Sequence, residues 1–122
     1  MGALREVNLE LGRPTVDDAI RRLTFELGRS RTVGDTVLKI IHGYGSSGAG
    51  GRIRLEARSY LSRLKTQGAI GDFIPGERFS IFDADTLAAF RLCGALRQDR
   101  DLERSNNGVT FIILCNKREK GG

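Results

Sequence analysis

The residues best suited to chemistry lie in a glycine-rich stretch that begins at His42, the only histidine of the chain. The apolar pair Ile40 and Ile41 precedes it, and the stretch reads HGYGSSGAGG. Its glycines are Gly43, Gly45, Gly48, Gly50 and Gly51. Glycine lets a backbone turn tightly and approach a ligand closely. We therefore predict a turn from a buried strand into a helix, with His42 at its mouth.

A turn of this kind predicts an anion site. Backbone N–H groups at the start of a helix attract phosphate, and Arg52 and Arg54 add positive charge there. Further along the helix, Arg58 and Arg63 extend a basic surface that can follow a phosphate backbone. Tyr44, inside the turn, either stacks on an unpaired base or folds back onto the core.

His42 has two interpretations. At the mouth of the anion site it can donate to a phosphate, or act as an acid or base near neutral pH. The alternative is that the glycines form a flexible loop and His42 only caps the strand by hydrogen bonding. The pattern leaves both open, because neither a dinucleotide-binding nor a Walker spacing is completed here.

Composition limits the partners and the setting. The 122 residues are 39% hydrophobic and 29% charged, which suits one domain with its own core. Lysine and arginine number 20 against 15 acidic residues, and most of the cations are arginines, which pair well with phosphate. Polyanionic partners are favoured, while the absence of a secretory signal and of a long apolar run predicts a cytoplasmic protein.

The cysteines do not predict a metal site. Cys93 and Cys115 have neither a CxxC spacing nor histidines around them, so zinc or another cofactor is not expected. Both lie among apolar residues, and we expect both to be reduced and buried.

Periodicity places the elements around the glycine turn. Val7, Leu9 and Leu11 alternate with polar residues as in a half-buried strand, and Thr15 is placed to cap a helix that ends near Gly28. Residues 36–41 form an apolar strand covered on both faces and central in the sheet. The helix after the glycines buries a stripe consisting of Ile53, Ala57, Tyr60, Leu61 and Leu64.

The second half predicts two more strands with a helical segment between them. Residues 69–74 form a short strand that ends before Pro75, and Asp83 or Asp85 caps a helix that runs to about Leu96. Residues 109–114 form the last strand, and the polar tail, 115–122, frays. We predict an α/β two-layer sandwich with a mixed four-stranded sheet, and a helical insertion, about 79–104, before the last strand. Its core spans about 7–114.

The ordered motifs resemble one family. His42-Gly43-Tyr44-Gly45, after an apolar strand and before a helix, resembles the HGxG motif of Smr (small MutS-related) domains. The segment 15–19 resembles the start of their first helix, and 107–110 resembles their last turn and strand. The resemblance covers most of residues 7–114 apart from the insertion.

The resemblance implies a βαβαββ fold similar to the C-terminal domain of a bacterial translation initiation factor. It also implies nucleic-acid binding and, in several members, metal-independent endonuclease activity associated with an LDxH motif on the first strand. Here Asn8 stands at the aspartate and Glu10 at the histidine, or Leu9 and Leu11 do if the alignment is made on Gly12. Asparagine takes no proton, and glutamate repels phosphate unless it is protonated or paired.

Three functions therefore remain open. The first is a nucleic-acid-binding module, for RNA or DNA and including RNA at ribosomes, in which the glycine turn, Arg52, Arg54 and Arg58 hold phosphates. The second is an endonuclease in which His42 is the acid or base and Glu10 supplies the second proton-transfer group, against the simpler alternative that Glu10 pairs with an arginine. The third is a protein-interaction domain whose insertion, 79–104, docks a partner.

Overall fold

The computed structural model describes residues 2–43 and 50–114. Four strands in these ranges form one sheet in the order β1-β2-β4-β3. They are β1 (Leu4–Asn8), β2 (Val37–Ile41), β3 (Asp72–Pro75) and β4 (Val109–Ile113). β1 pairs parallel with β2, whereas β4 is antiparallel to both of its neighbours. The predicted mixed four-stranded sheet of an α/β fold, with the second strand in its interior, is confirmed.

Three α-helices accompany the sheet in the described ranges: α1 (Val16–Val33), α2 (Gly50–Thr66) and α3 (Ala84–Leu92). Short 3-10 helices cover Gly76–Arg78 and Gly94–Gln98. The Thr15 side chain accepts a hydrogen bond from the Asp18 backbone N–H at 3.1 Å, and Asp83 accepts one from Thr86 at 2.9 Å. Both caps were predicted from the sequence, since such side chains satisfy N–H groups that the first turn leaves unpaired.

The end of α1 was predicted wrongly. The helix passes Gly28 and ends at Gly34, whose φ of 85° is the left-handed conformation that favours glycine. The extra turn is held by the buried Ser30, whose hydroxyl accepts from Arg5 Nη2 at 2.8 Å and donates to Asp35 at 2.9 Å. These contacts compensate for a glycine inside the helix, a cost of about 1 kcal/mol relative to alanine.

Apolar side chains cover both faces of the sheet. On one face, α1 and α2 pack on the sheet through Leu23, Leu27, Leu38, Ile40, Ala57, Leu61 and Ile112. On the other face, the segment before β4 packs through Phe79, Ala89, Phe90, Cys93, Leu96, Phe111 and Ile113. Residues predicted as an insertion, about 79–104, thus supply much of the second apolar cluster.

The second face also holds a buried charge. Lys39 of β2 is fully buried, and its ammonium group lies 2.9 Å from Asp99 and 2.6 Å from Asp101. It also lies 5.3 Å from the centre of the Phe111 ring. Burial alone would lower the pKa of Lys39, but the hydrogen bonds to Asp101 and Asp99 raise it above its ordinary value. Lys39 therefore stays charged and ties the segment before β4 to the central strand.

The carboxyl ends of β1, β2 and β3 meet the amino end of β4 along one edge of the sheet, which we call the upper edge. Asn8 pairs with Ile41, Ile41 with Val109, and Pro75 with Thr110. β1 ends earlier than predicted, because the Glu10 backbone N–H donates to Asn8 Oδ1 at 2.8 Å and starts a turn. Leu11, expected in the core, is 64% exposed.

Cys93 is buried and free, as predicted. Cys115 and the tail, 115–122, lie outside the described residues. None of the helices in the described ranges has the length and apolar character needed to cross a lipid bilayer.

Candidate functional site

His42 lies at the upper edge, directly after β2. Its backbone N–H donates to the Gly108 carbonyl at 3.0 Å, and its ring is buried. Nδ1 lies 2.8 Å from the Gly43 carbonyl and Nε2 lies 2.8 Å from Thr110 Oγ1. A carbonyl oxygen only accepts, so Nδ1 carries the proton and Nε2 accepts from the Thr110 hydroxyl. Both ring nitrogens are therefore occupied inside the protein.

Arg58 of α2 continues this arrangement. Its Nε donates to Thr110 Oγ1 at 3.1 Å, and its two terminal nitrogens donate to the two oxygens of Glu77 at 2.8 and 2.9 Å. Nη2 also reaches the carbonyls of Asn107 at 3.3 Å and Val109 at 3.2 Å. We call the chain from Glu77 through Arg58, Thr110 and His42 to Gly43 the His42 network. Arg58 was predicted to hold phosphate, but its N–H groups donate to other groups of the protein.

The charge state of His42 follows from these contacts. The pKa of His42 is lowered to about 4, mainly because the ring is buried. The positive charges of Arg58 and Arg54 act in the same direction, whereas the hydrogen bond to Gly43 and the charge of Glu77 oppose them. The imidazole is consequently neutral at pH 7. Of the two interpretations drawn from the sequence, the enclosed ring and its hydrogen bonds to Gly43 and Thr110 match the one in which His42 caps the strand.

Loss of Arg58 is expected to destabilise the fold. In Arg58→Met, the acceptors on Thr110, Asn107 and Val109 lose their donor and the Glu77 carboxylate loses its partner. We expect the free energy of unfolding to fall by about 2 kcal/mol. Urea denaturation measures this free energy. The control is Arg63→Met, at an exposed position near the end of the same helix, and we expect it to lower the free energy of unfolding by about 0.5 kcal/mol or less. Equal losses in the two variants would show that the His42 network does not stabilise the fold.

Gly43 brings Glu10 to the same edge. Gly43 has a φ of +74°, and a Cβ there would stand 2.1 Å from Oε2 of Glu10. Only glycine therefore allows this carboxylate to lie against the backbone after His42. Glu10 therefore lies beside Gly43, the residue after His42, in a turn and not on β1. Within the described ranges Glu10 forms no ion pair with an arginine.

The start of α2 carries two arginines, Arg52 and Arg54. The first turn of α2 contains no acidic residue. Arg52 is exposed and lines a groove toward α1. Arg54 is half-buried on the other side of the helix. It lies close enough to His42 and Glu77 that its positive charge helps to lower the pKa of each. Arg54 Nε is buried and has no hydrogen-bond partner among the described residues. Gly50 and Gly51 belong to this turn, whereas Tyr44, Gly45 and Gly48 lie outside the described residues.

Thr110 and Glu77 are site residues that the sequence did not reveal. Thr110 is the one polar residue of the apolar strand β4, and that irregularity was a usable signal. Glu77 follows the Pro75-Gly76 turn, and nothing in the sequence relates it to Arg58. Their contribution depends on tertiary contacts between α2, β4 and the turn after β3.

The segment 79–104, predicted to dock a partner, packs largely against the sheet. Phe79 stacks on Phe111 with ring centres 4.1 Å apart. Glu103 fastens the next turn by accepting from Ser80 Oγ at 2.9 Å and from the Ile81 backbone N–H at 2.7 Å. Phe82, beside this turn, is 88% exposed. Removing the whole segment would therefore open the second apolar cluster as well as remove Phe82.

Within residues 2–43 and 50–114, no group of three His, Cys, Asp or Glu side chains is arranged to hold a metal ion. The upper edge instead presents hydrogen-bond donors and guanidinium groups.

Comparisons with known proteins give one informative match. No family model and no curated protein matches the sequence. The crystal structure of the Smr domain of MutS2 from Thermus thermophilus superposes with a TM-score of 0.56 at 22% sequence identity. The match covers 91% of this chain and 98% of that one. The chain therefore has an Smr-like fold, as its motifs implied.

Proposed function

We propose that this chain, whose fold is that of an Smr domain, binds nucleic acid by holding phosphates at the start of α2. The observation that carries the proposal is the Arg54 guanidinium, which lies beside the His42 network with a buried Nε–H that has no acceptor among the described residues. A buried donor without a partner costs about 1–3 kcal/mol, so a phosphate oxygen that engages this guanidinium recovers free energy.

Two further features support an anion at this position. Arg52 and Arg54 flank the start of α2 on opposite sides, and no carboxylate in the first turn competes for them. The positive end of the helix dipole adds to their attraction for phosphate. Gly50 and Gly51 add no side chain at the start of α2. Gly43, Gly45 and Gly48 stay predicted members of this turn, and Tyr44 stays a predicted stacking partner for an unpaired base.

Arg58 has a different role in this proposal. Its donors are occupied by Glu77, Thr110 and two carbonyls, so it supports the site by fixing His42 and β4 rather than by contacting phosphate. Cleavage is not part of the proposal. His42 has both ring nitrogens engaged inside the protein, and Glu10, which would have to supply the second proton-transfer group, lies in a turn against Gly43.

The test is a titration with 20-nucleotide single-stranded RNA, single-stranded DNA and duplex at two salt concentrations. We expect the double variant Arg52→Gln/Arg54→Gln to bind about tenfold more weakly at low salt, and its plot of log K against log salt to lose roughly one unit of slope per arginine removed. The matched control is Arg63→Gln, which removes an exposed arginine from the last turn of the same helix.

The result would contradict the proposal if Arg63→Gln lowered the affinity and the salt slope as much as the double variant does. Binding by none of the three nucleic acids at low salt would overturn it altogether. Chelator-resistant cleavage that disappears in His42→Ala would instead establish the endonuclease function.

A further inference from the structure

A groove of about 420 Å³ lies between the first two turns of α1 and those of α2. Its lining consists of Val16, Asp17, Ile20, Arg21, Arg52 and Glu56. Val16 and Ile20 are half-buried and give it an apolar floor, whereas the charged side chains are exposed. The phosphate site proposed above and this groove share Arg52, so both open at the same end of α2.

The charges of the groove balance. Each helix contributes one guanidinium and one carboxylate: Arg21 and Asp17 from α1, Arg52 and Glu56 from α2. Arg21 is held at the rim by its ion pair with Asp18 at 2.5 Å. With Asp18 paired to Arg21, the groove has no excess of positive charge and does not select phosphate, so its preferred occupant differs from that of the site around Arg54.

A nucleic-acid base matches this lining. Its flat face packs on aliphatic side chains and guanidinium planes, and its edges carry N–H groups for carboxylates and ring or carbonyl acceptors for arginines. In a duplex the faces are stacked and the edges are paired, so only an unpaired base offers both.

We propose that this groove receives an unpaired base of the strand whose phosphate lies at the start of α2, and that the protein therefore prefers single-stranded to duplex nucleic acid. The inference rests on the proposed function, since the phosphate site delivers the base. Arg52 at the shared rim then serves both the backbone and the base.

The experiment compares three probes on the unaltered protein at one low salt concentration: a 10-nucleotide single strand, the same strand with its central bases replaced by abasic residues, and its blunt duplex. All three carry the same phosphate chemistry. We expect the intact strand to bind about tenfold more tightly than the abasic strand, in the range that loss of one stacked base produces, and also more tightly than the duplex.

Substitution locates the effect. Ile20→Ala is expected to weaken binding of the intact strand severalfold and to leave the abasic strand unchanged, while Val33→Ala, at the far end of α1, changes neither. Should Ile20→Ala fail to fold, Val16→Ala in the same lining takes its place with the same expected result. Equal affinity for intact, abasic and duplex probes would overturn this inference and leave phosphate binding intact. No binding of any probe would overturn both.

Discussion

Replacing Lys39 with alanine is expected to lower the free energy of unfolding by about 3–5 kcal/mol. The ammonium group is fully buried and sits between Asp99 and Asp101, whose side chains are only 6% and 11% exposed. Without it, two carboxylates face each other with little access to water, and the segment before β4 loses its tie to the central strand. Urea denaturation followed by circular dichroism measures the change.

Lys65→Ala is the matched control. Lys65 also pairs with an aspartate, Asp72, at 3.0 Å, but its side chain is 51% exposed. An exposed ion pair contributes about 0–1 kcal/mol, so this substitution should have a small effect. Comparable losses in the two variants would mean that burial of the Lys39 cluster adds nothing to stability. The triple variant Lys39→Met/Asp99→Asn/Asp101→Asn removes the lysine and both buried aspartate charges and leaves Glu6, the more exposed partner of Lys39 at 3.5 Å, paired with Arg100. This variant should recover much of the loss.

Local signals in the sequence predicted much of the fold. Thr15 was predicted as one helix cap and Asp83 or Asp85 as another. Such caps can be predicted because the side chains of Thr15 and Asp83 accept hydrogen bonds from backbone N–H groups only three residues away. The apolar run of β2 predicted an interior strand, and the glycines after His42 predicted a turn into a helix. Each of these features depends on residues close in the chain, which is where sequence patterns are informative.

Features that depend on distant partners were missed. Lys39 was included in an apolar strand without any partner, because Asp99 lies 60 residues further along the chain in a segment dense in charge. Arg58 looked like free basic surface for the same reason, since nothing local connects it to Glu77 or Thr110. Gly28 resembled a helix end until Ser30, Arg5 and Asp35 were seen to hold another turn. The sequence therefore indicated which elements carry His42 and Arg58, but it did not indicate that their hydrogen-bonding groups are occupied within the protein.

His42 should make the free energy of unfolding depend on pH between about 6.5 and about 4. Burial lowers its pKa to about 4 in the folded protein, whereas in the unfolded chain it returns to about 6.5. Below pH 6.5 the unfolded chain takes up a proton that the folded protein refuses, so stability falls with falling pH until the folded pKa is reached. The expected loss is about 2 kcal/mol by pH 5 and about 3 kcal/mol by pH 4. His42→Asn, which keeps an N–H for the Gly43 carbonyl but does not titrate, should lack this slope above pH 5.

A proton NMR titration tests the cause directly, because the chain has a single histidine and its Hε1 signal needs no assignment. A midpoint near pH 4 would show that the neutral ring persists in the folded state. That ring cannot protonate a leaving group at pH 7, and its Nε2 is engaged by Thr110. A midpoint between 6 and 7 would show instead that the His42 network opens readily, and it would restore His42 as a candidate acid or base. The same measurement therefore separates a binding module from a nuclease on physical grounds, before any substrate is known.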